Sequence, residues 1–185
     1  MKQAVDDDIS PDFKWDRKDA ALGAKLIRYE KTPHAIRQFA RQCDRLTNHG
    51  YWFFLGSLWV SYTGFSDLEL WKRLFSSPRG MRETSLMKPS ELRLFRVLPD
   101  KVHALRAHRP GETDWIAYTL NADTAARFAV ERGVDSVSAY EIDKADILCL
   151  FTRRGEAEII VLDKSKARFL DEVTVIRAYE QEEGK

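Results

Sequence analysis

The hydrophobic period changes at Leu98-Pro99-Asp100, and that change commits the chain to two unlike parts. Before it, apolar residues recur at helical spacing. Leu22, Leu26, Ile27 and Tyr29 share one face within a helical stretch over residues 21–48. Thr32-Pro33 reads as a restart, with Thr32 as N-cap and Pro33 at the first helical position. Asn48-His49-Gly50 reads as the close. A further helix is predicted from Phe65 to Phe75, capped by Ser66 with Glu69 completing a capping box. A short one follows from Pro89 to Leu98. After the break, strand-like runs take over: Val102–Ala107, Trp115–Leu120, Ser136–Ile142, Ile147–Phe151, Glu156–Leu162 and Ala167–Ala178. One helix, Asp123–Glu131, interrupts them. The fold class is therefore α+β, a helical N-terminal half followed by a split, mainly antiparallel β core. Residues 1–20 read as a loose acidic arm whose Phe13 and Trp15 dock on the body, 21–99 as an aromatic-rich helical lobe, and 100–185 as the β-rich core. Lobe and core are expected to form one compact domain.

Charge and cysteine usage narrow the function classes. Thirty basic residues against 29 acidic ones leave a net charge of +1, so no global field attracts nucleic acid. Cys43 and Cys149 are far apart in apolar patterns and read as buried thiols in a reducing compartment. The histidines are scattered and no ligand spacing is present, so no metal is expected. No apolar run reaches the roughly 18 residues of a membrane span, and the N-terminus lacks an apolar signal segment. The expectation is a soluble cytoplasmic protein without a membrane partner. The aromatic run Tyr51–Tyr62 contains no Lys or Arg, so it reads as core and not as a base-stacking platform.

The chemistry concentrates in the second half. Gly155 makes a turn into a strand on which Glu156 and Glu158 should share one face. Like charges side by side raise one pKa, a cost that a functional site repays. Arg106 ends the first strand and can grip phosphate with two prongs. Thr119 offers a hydroxyl on the second strand, with Tyr118 on its opposite face. An arginine, a hydroxyl and a glutamate on successive strands suit cleavage of an N-glycosidic bond in a dinucleotide.

In these features the chain resembles the ADP-ribosyltransferases of the Arg–Ser–Glu type, most closely the small bacterial and phage toxin-like members. The resemblance rests on Leu98-Pro99-Asp100 before Arg106, on Ala117-Tyr118-Thr119-Leu120, on Ala125-Ala126-Arg127-Phe128-Ala129, and on Gly155-Glu156-Ala157-Glu158. It covers roughly residues 90–163. Two positions depart from the family pattern: Ala117 replaces the serine and Ala107 a glycine. Thr119 is the candidate substitute for the missing hydroxyl.

The resemblance implies transfer of ADP-ribose from NAD+, as co-substrate, to a macromolecular acceptor. It places Glu158, Glu156 and Thr119 in catalysis, and Arg106, Tyr118 and Phe128 at NAD+. Glu158 would stabilise the oxocarbenium-like state, Thr119 would position Glu158, and Glu156 would orient the nucleophile. Arg153 and Arg154 would read the acceptor. Glu156 favours a protein arginine, whereas two arginines beside it favour an anionic acceptor such as a nucleic-acid base. An NAD+ glycohydrolase and a non-catalytic binding protein remain as alternatives. Toxin-like members imply an antitoxin or inhibitor protein as a further partner.

Overall fold

The computed structural model describes residues 8–62, 64 and 66–175. Helices fill the first half: α1 (Arg17–Leu26), α2 (His34–Ala40), α3 (Asn48–Ser61), α4 (Leu68–Phe75), α5 (Arg82–Leu86) and α6 (Pro89–Arg96). Strands dominate after Asp100: β1 (Lys101–Arg106), β2 (Ala117–Thr119), β3 (Ser136–Asp143), β4 (Cys149–Phe151), β5 (Glu158–Ile160) and β6 (Ala167–Thr174). One long helix, α7 (Ala122–Arg132), lies between β2 and β3.

Capping chemistry explains where the helices begin, and it corrects three readings. Asn48-His49-Gly50 opens α3 and does not close a helix. Thr47 is the N-cap: its hydroxyl accepts from the Gly50 N–H at 3.0 Å and donates to Asp19 at 2.5 Å. Gly50 is there for room, because a Cβ at that position would lie 2.1 Å from the Asp19 carboxylate. Asp67, not Ser66, caps α4 by accepting from the Leu70 N–H, and Ser66 instead accepts from the Trp71 indole. Thr32 does not cap α2, since its hydroxyl turns back to the Tyr29 carbonyl.

The arm is also corrected in part. Residues 1–7 lie outside the described residues. From Asp8 the chain is pinned: Asp8 accepts from the Ser90 N–H at 2.8 Å, and Ser10 donates to the Thr84 carbonyl at 2.7 Å. Phe13 meets His49 edge-on, but Trp15 stands 73% exposed.

The six strands form one antiparallel sheet in the order β4-β5-β2-β1-β3-β6. It is continuous, not split. Its two halves are joined at β1–β2, where Leu105 opposite Thr119 is the one paired position. The aromatic run packs as expected: Trp52 and Leu55 of α3 are fully buried with Phe39, Phe75, Phe151 and Ile159 in a core shared by helices and sheet. Phe53 is the exception, half exposed. A smaller cluster of Ala107, Ala125, Ala129 and Val137 seats α7. Both cysteines are buried and unpaired. No helix among the described residues is long and apolar enough to cross a membrane.

Candidate active site

The loose join between β1 and β2 leaves a cavity of about 760 Å³, walled by β1, β2, α7 and by α3 and α4 of the helical lobe. Arg106, Tyr118, Thr119, Phe128, Arg154, Glu156 and Glu158 all line it, and Arg153 does not.

Glu156 and Glu158 do not alternate on a regular strand. β5 starts at Glu158, and Ala157 before it takes a φ of 44°, in the left-handed region, after Gly155 at 71°. The two carboxylates still converge, because Arg154 reaches both: its Nη2 lies 2.7 Å from Glu156 and 3.4 Å from Glu158. Arg127 of α7 contacts Glu156 from the other side at 3.2 Å. The Trp59 indole of α3 donates to Glu158 Oε2 at 2.8 Å. Burial pushes the Glu158 carboxyl above its ordinary value and the Glu156 charge adds to this. The Arg154 charge and the Trp59 hydrogen bond oppose it.

Thr119 sits opposite Glu158 in the β2–β5 register but does not touch its carboxylate. Its hydroxyl donates to the Glu156 backbone carbonyl at 2.5 Å and accepts from the Asn121 N–H at 3.0 Å. The structure thus corrects its expected role: Thr119 fixes the backbone of the glutamate turn, and the Glu158 side chain is held by others. Ala117, opposite Ile160, supplies no hydroxyl.

Arg106 is 9% exposed, and its guanidinium is already gripped. Glu112, from the β1–β2 loop, takes it two-pronged: Nη2 to Oε1 at 2.6 Å and Nε to Oε2 at 3.2 Å. Nη1 donates to the Ala117 carbonyl at 2.6 Å. Burial alone would raise the Glu112 carboxyl. The His108 hydrogen bond and the Arg106 charge outweigh it and hold the group at about 2. Glu112 is therefore a permanent anion. Arg109 and Arg132 stand beside this pair. Burial, then repulsion from Arg106 and Arg109, brings Arg132 down to about 10. Three guanidinium groups thus stand near the Glu112 carboxylate, and the Glu131 charge also acts on Arg132.

Tyr118 faces away from Thr119, as alternation requires. Its hydroxyl accepts from the Trp115 indole at 2.8 Å and its ring meets Tyr140 edge-on. Burial pushes that phenol up to about 12, so it stays protonated. Phe128 is half-buried between the guanidinium groups of Arg127 and Arg132, 5.1 and 4.9 Å from the ring centroid. Arg153 is corrected outright. It turns into the protein, where Nη2 meets Glu91 at 3.1 Å and the Leu86 carbonyl at 3.0 Å. Arg154, its neighbour, turns to the carboxylates, so the two do not form one acceptor-reading surface.

Sequence reasoning missed Trp59, Glu112 and Arg127. Arg127 stood in the Ala-Ala-Arg-Phe-Ala helix, and Glu112 lay six residues from Arg106, but Trp59 is 99 residues from its partner and carried no signal. Among the described residues no group of three or more His, Cys, Asp or Glu is placed to hold a metal ion. Comparison of the chain with protein-family models, with curated proteins and with solved structures finds no match.

Proposed function

We propose that the protein is a mono-ADP-ribosyltransferase that cleaves NAD+ and passes ADP-ribose to a macromolecular acceptor. One observation carries the reading: a single cavity brings an arginine-rich anion site around Arg106 together with the Glu156–Glu158 pair. Its volume falls in the range of small-molecule sites. Arg106 can exchange the planar carboxylate of Glu112 for a phosphate of the same two-pronged geometry. Phe128 offers a ring face at the cavity wall. Glu158 stabilises positive charge at C1′ of the nicotinamide ribose while the N-glycosidic electron pair leaves with nicotinamide. Glu156 then takes the proton of the acceptor nitrogen that attacks C1′. A protein arginine suits this acceptor position, because Glu156 already binds the half-exposed guanidinium of Arg127 on the cavity side. The turn of Arg153 into the protein removes half of the charge that favoured an anionic acceptor.

Incubation with labelled NAD+ in cell lysate, with protease and nuclease controls, tests the proposal. Label on protein is the expected result. Label on nucleic acid would change the acceptor, free ADP-ribose alone would make the protein a glycohydrolase, and intact NAD+ would overturn the reading.

Glu112→Gln should tighten NAD+ binding. Glu112 is ionised at every working pH and competes with pyrophosphate for Arg106. A neutral amide gives up the charge-assisted part of that contact, about 1 kcal/mol or more, so the affinity gain should be about tenfold by calorimetry. Weaker binding would make Glu112 part of the NAD+ site and not its competitor.

A further inference from the structure

We infer, on the basis of the NAD+-cleaving reading above, that Trp59 of the helical lobe is the positioning residue for Glu158. It fills the place left by a strand hydroxyl. Neither strand hydroxyl position serves Glu158: Ala117 has none, and the Thr119 hydroxyl is spent on the Glu156 carbonyl and the Asn121 N–H. The Trp59 indole meets Glu158 Oε2 at 2.8 Å. An indole N–H can only donate, and it bonds the carboxylate more strongly than the neutral acid, so it favours the charged form.

Its direction is fixed by packing. The ring stands edge-on to Trp71 at 4.9 Å and to Phe75 at 5.5 Å. Trp71 is tied to Ser66 at 2.9 Å, and Phe75 is fully buried. Little side-chain freedom remains to be lost when the site acts.

Arg154 is the other group on Glu158, and it is a weaker guide. It divides itself between Glu156 at 2.7 Å, the Val60 carbonyl at 2.9 Å and Glu158 at 3.4 Å. The Val60 carbonyl belongs to the last turn of α3, where carbonyls lack helical partners and a cation is welcome. Adjacent residues of one helix thus place Trp59 and Arg154, both of which touch Glu158. The helical lobe is part of the catalytic apparatus.

Trp59→Phe keeps an aromatic ring and deletes the N–H. In steady-state NAD+ turnover kcat should fall by about tenfold to 100-fold, with KM for NAD+ nearly unchanged. The acid limb of the rate–pH profile should move to higher pH, because losing a donor to the charged form favours the protonated acid. A second measurement needs no variant. In the parent, the Trp59 indole ¹H–¹⁵N resonance should shift with pH through the same midpoint as that acid limb. An unchanged kcat and pH profile in a folded Trp59→Phe protein would overturn the inference and leave the functional reading standing. An indole resonance that stays still across the acid limb would do the same. A parent that turns over no NAD+ removes the functional reading and this role together.

Discussion

Glu158→Gln should abolish both NAD+ cleavage and transfer, with a loss of about 1000-fold or more, and leave the fold intact. The amide matches the carboxylate in shape, and its oxygen can still accept from the Trp59 indole at the 2.8 Å position. What disappears is the negative charge that, in the proposed reaction, faces the developing positive charge on the ribose. The fold does not depend on that charge, because burial already pushes the Glu158 carboxyl above its ordinary value. Neutralising it relieves a desolvation cost. The same shift predicts that the parent loses activity as pH falls, with a midpoint raised above that of an ordinary glutamate. Thermal unfolding at or above the parent temperature, combined with lost turnover, is the expected pair of results. Full turnover by the variant would take Glu158 out of the chemistry.

Glu91→Ala should have the largest effect on stability, about 3–5 kcal/mol, the cost of breaking a buried ion pair by removing one partner. Glu91 is fully buried in α6. Its carboxylate accepts from the Lys88 N–H at 2.9 Å, from the Thr152 N–H at 2.9 Å and from Arg153 Nη2 at 3.1 Å. Alanine leaves the Arg153 guanidinium, 19% exposed, without its counter-charge. It also frees the turn that carries Arg154, Glu156 and Glu158. A lower denaturation midpoint with an unchanged slope would report the stability loss. Reduced NAD+ turnover at temperatures where the variant is still folded would report the loosened turn. A loss below about 1 kcal/mol would mean that water replaces the pair without penalty.

The two-part architecture was legible because hydrophobic period is a local property. Helical spacing ends at Leu98-Pro99-Asp100 and strands begin at Lys101. The helix Ala122–Arg132 and the six described strands overlap the runs read for them, although Glu156 falls before β5 and residues 176–178 of the last run lie outside the described residues. Gly155 marks its turn because only a residue tolerant of positive φ fits there. Part of the cavity lining was legible for a similar reason: Arg106, Thr119 and Glu158 sit at strand ends that neighbour one another in the sheet, and Glu156 precedes one of them.

Partnership was not legible, because it depends on distance in space. Asn48-His49-Gly50 has the composition of a helix stop, yet Asp19, about 30 residues away, turns it into a start by filling the space that glycine leaves. Arg153 and Arg154 are neighbours with the same side chain. Buried Glu91 draws one inward, while the carboxylate pair and the end of α3 draw the other to the cavity. Arg106 carries its two-pronged donor wherever it stands, but only the folded β1–β2 loop sets Glu112 against it. Trp59 looks like any core aromatic in the chain. Its indole becomes a partner for Glu158 because the lobe packs against the sheet and orders the ring between Trp71 and Phe75. Local sequence determined which elements form and which candidate residues they hold. Tertiary packing decided what each one faces, because a hydrogen bond or ion pair forms only where two groups are brought within about 3 Å and shielded from water.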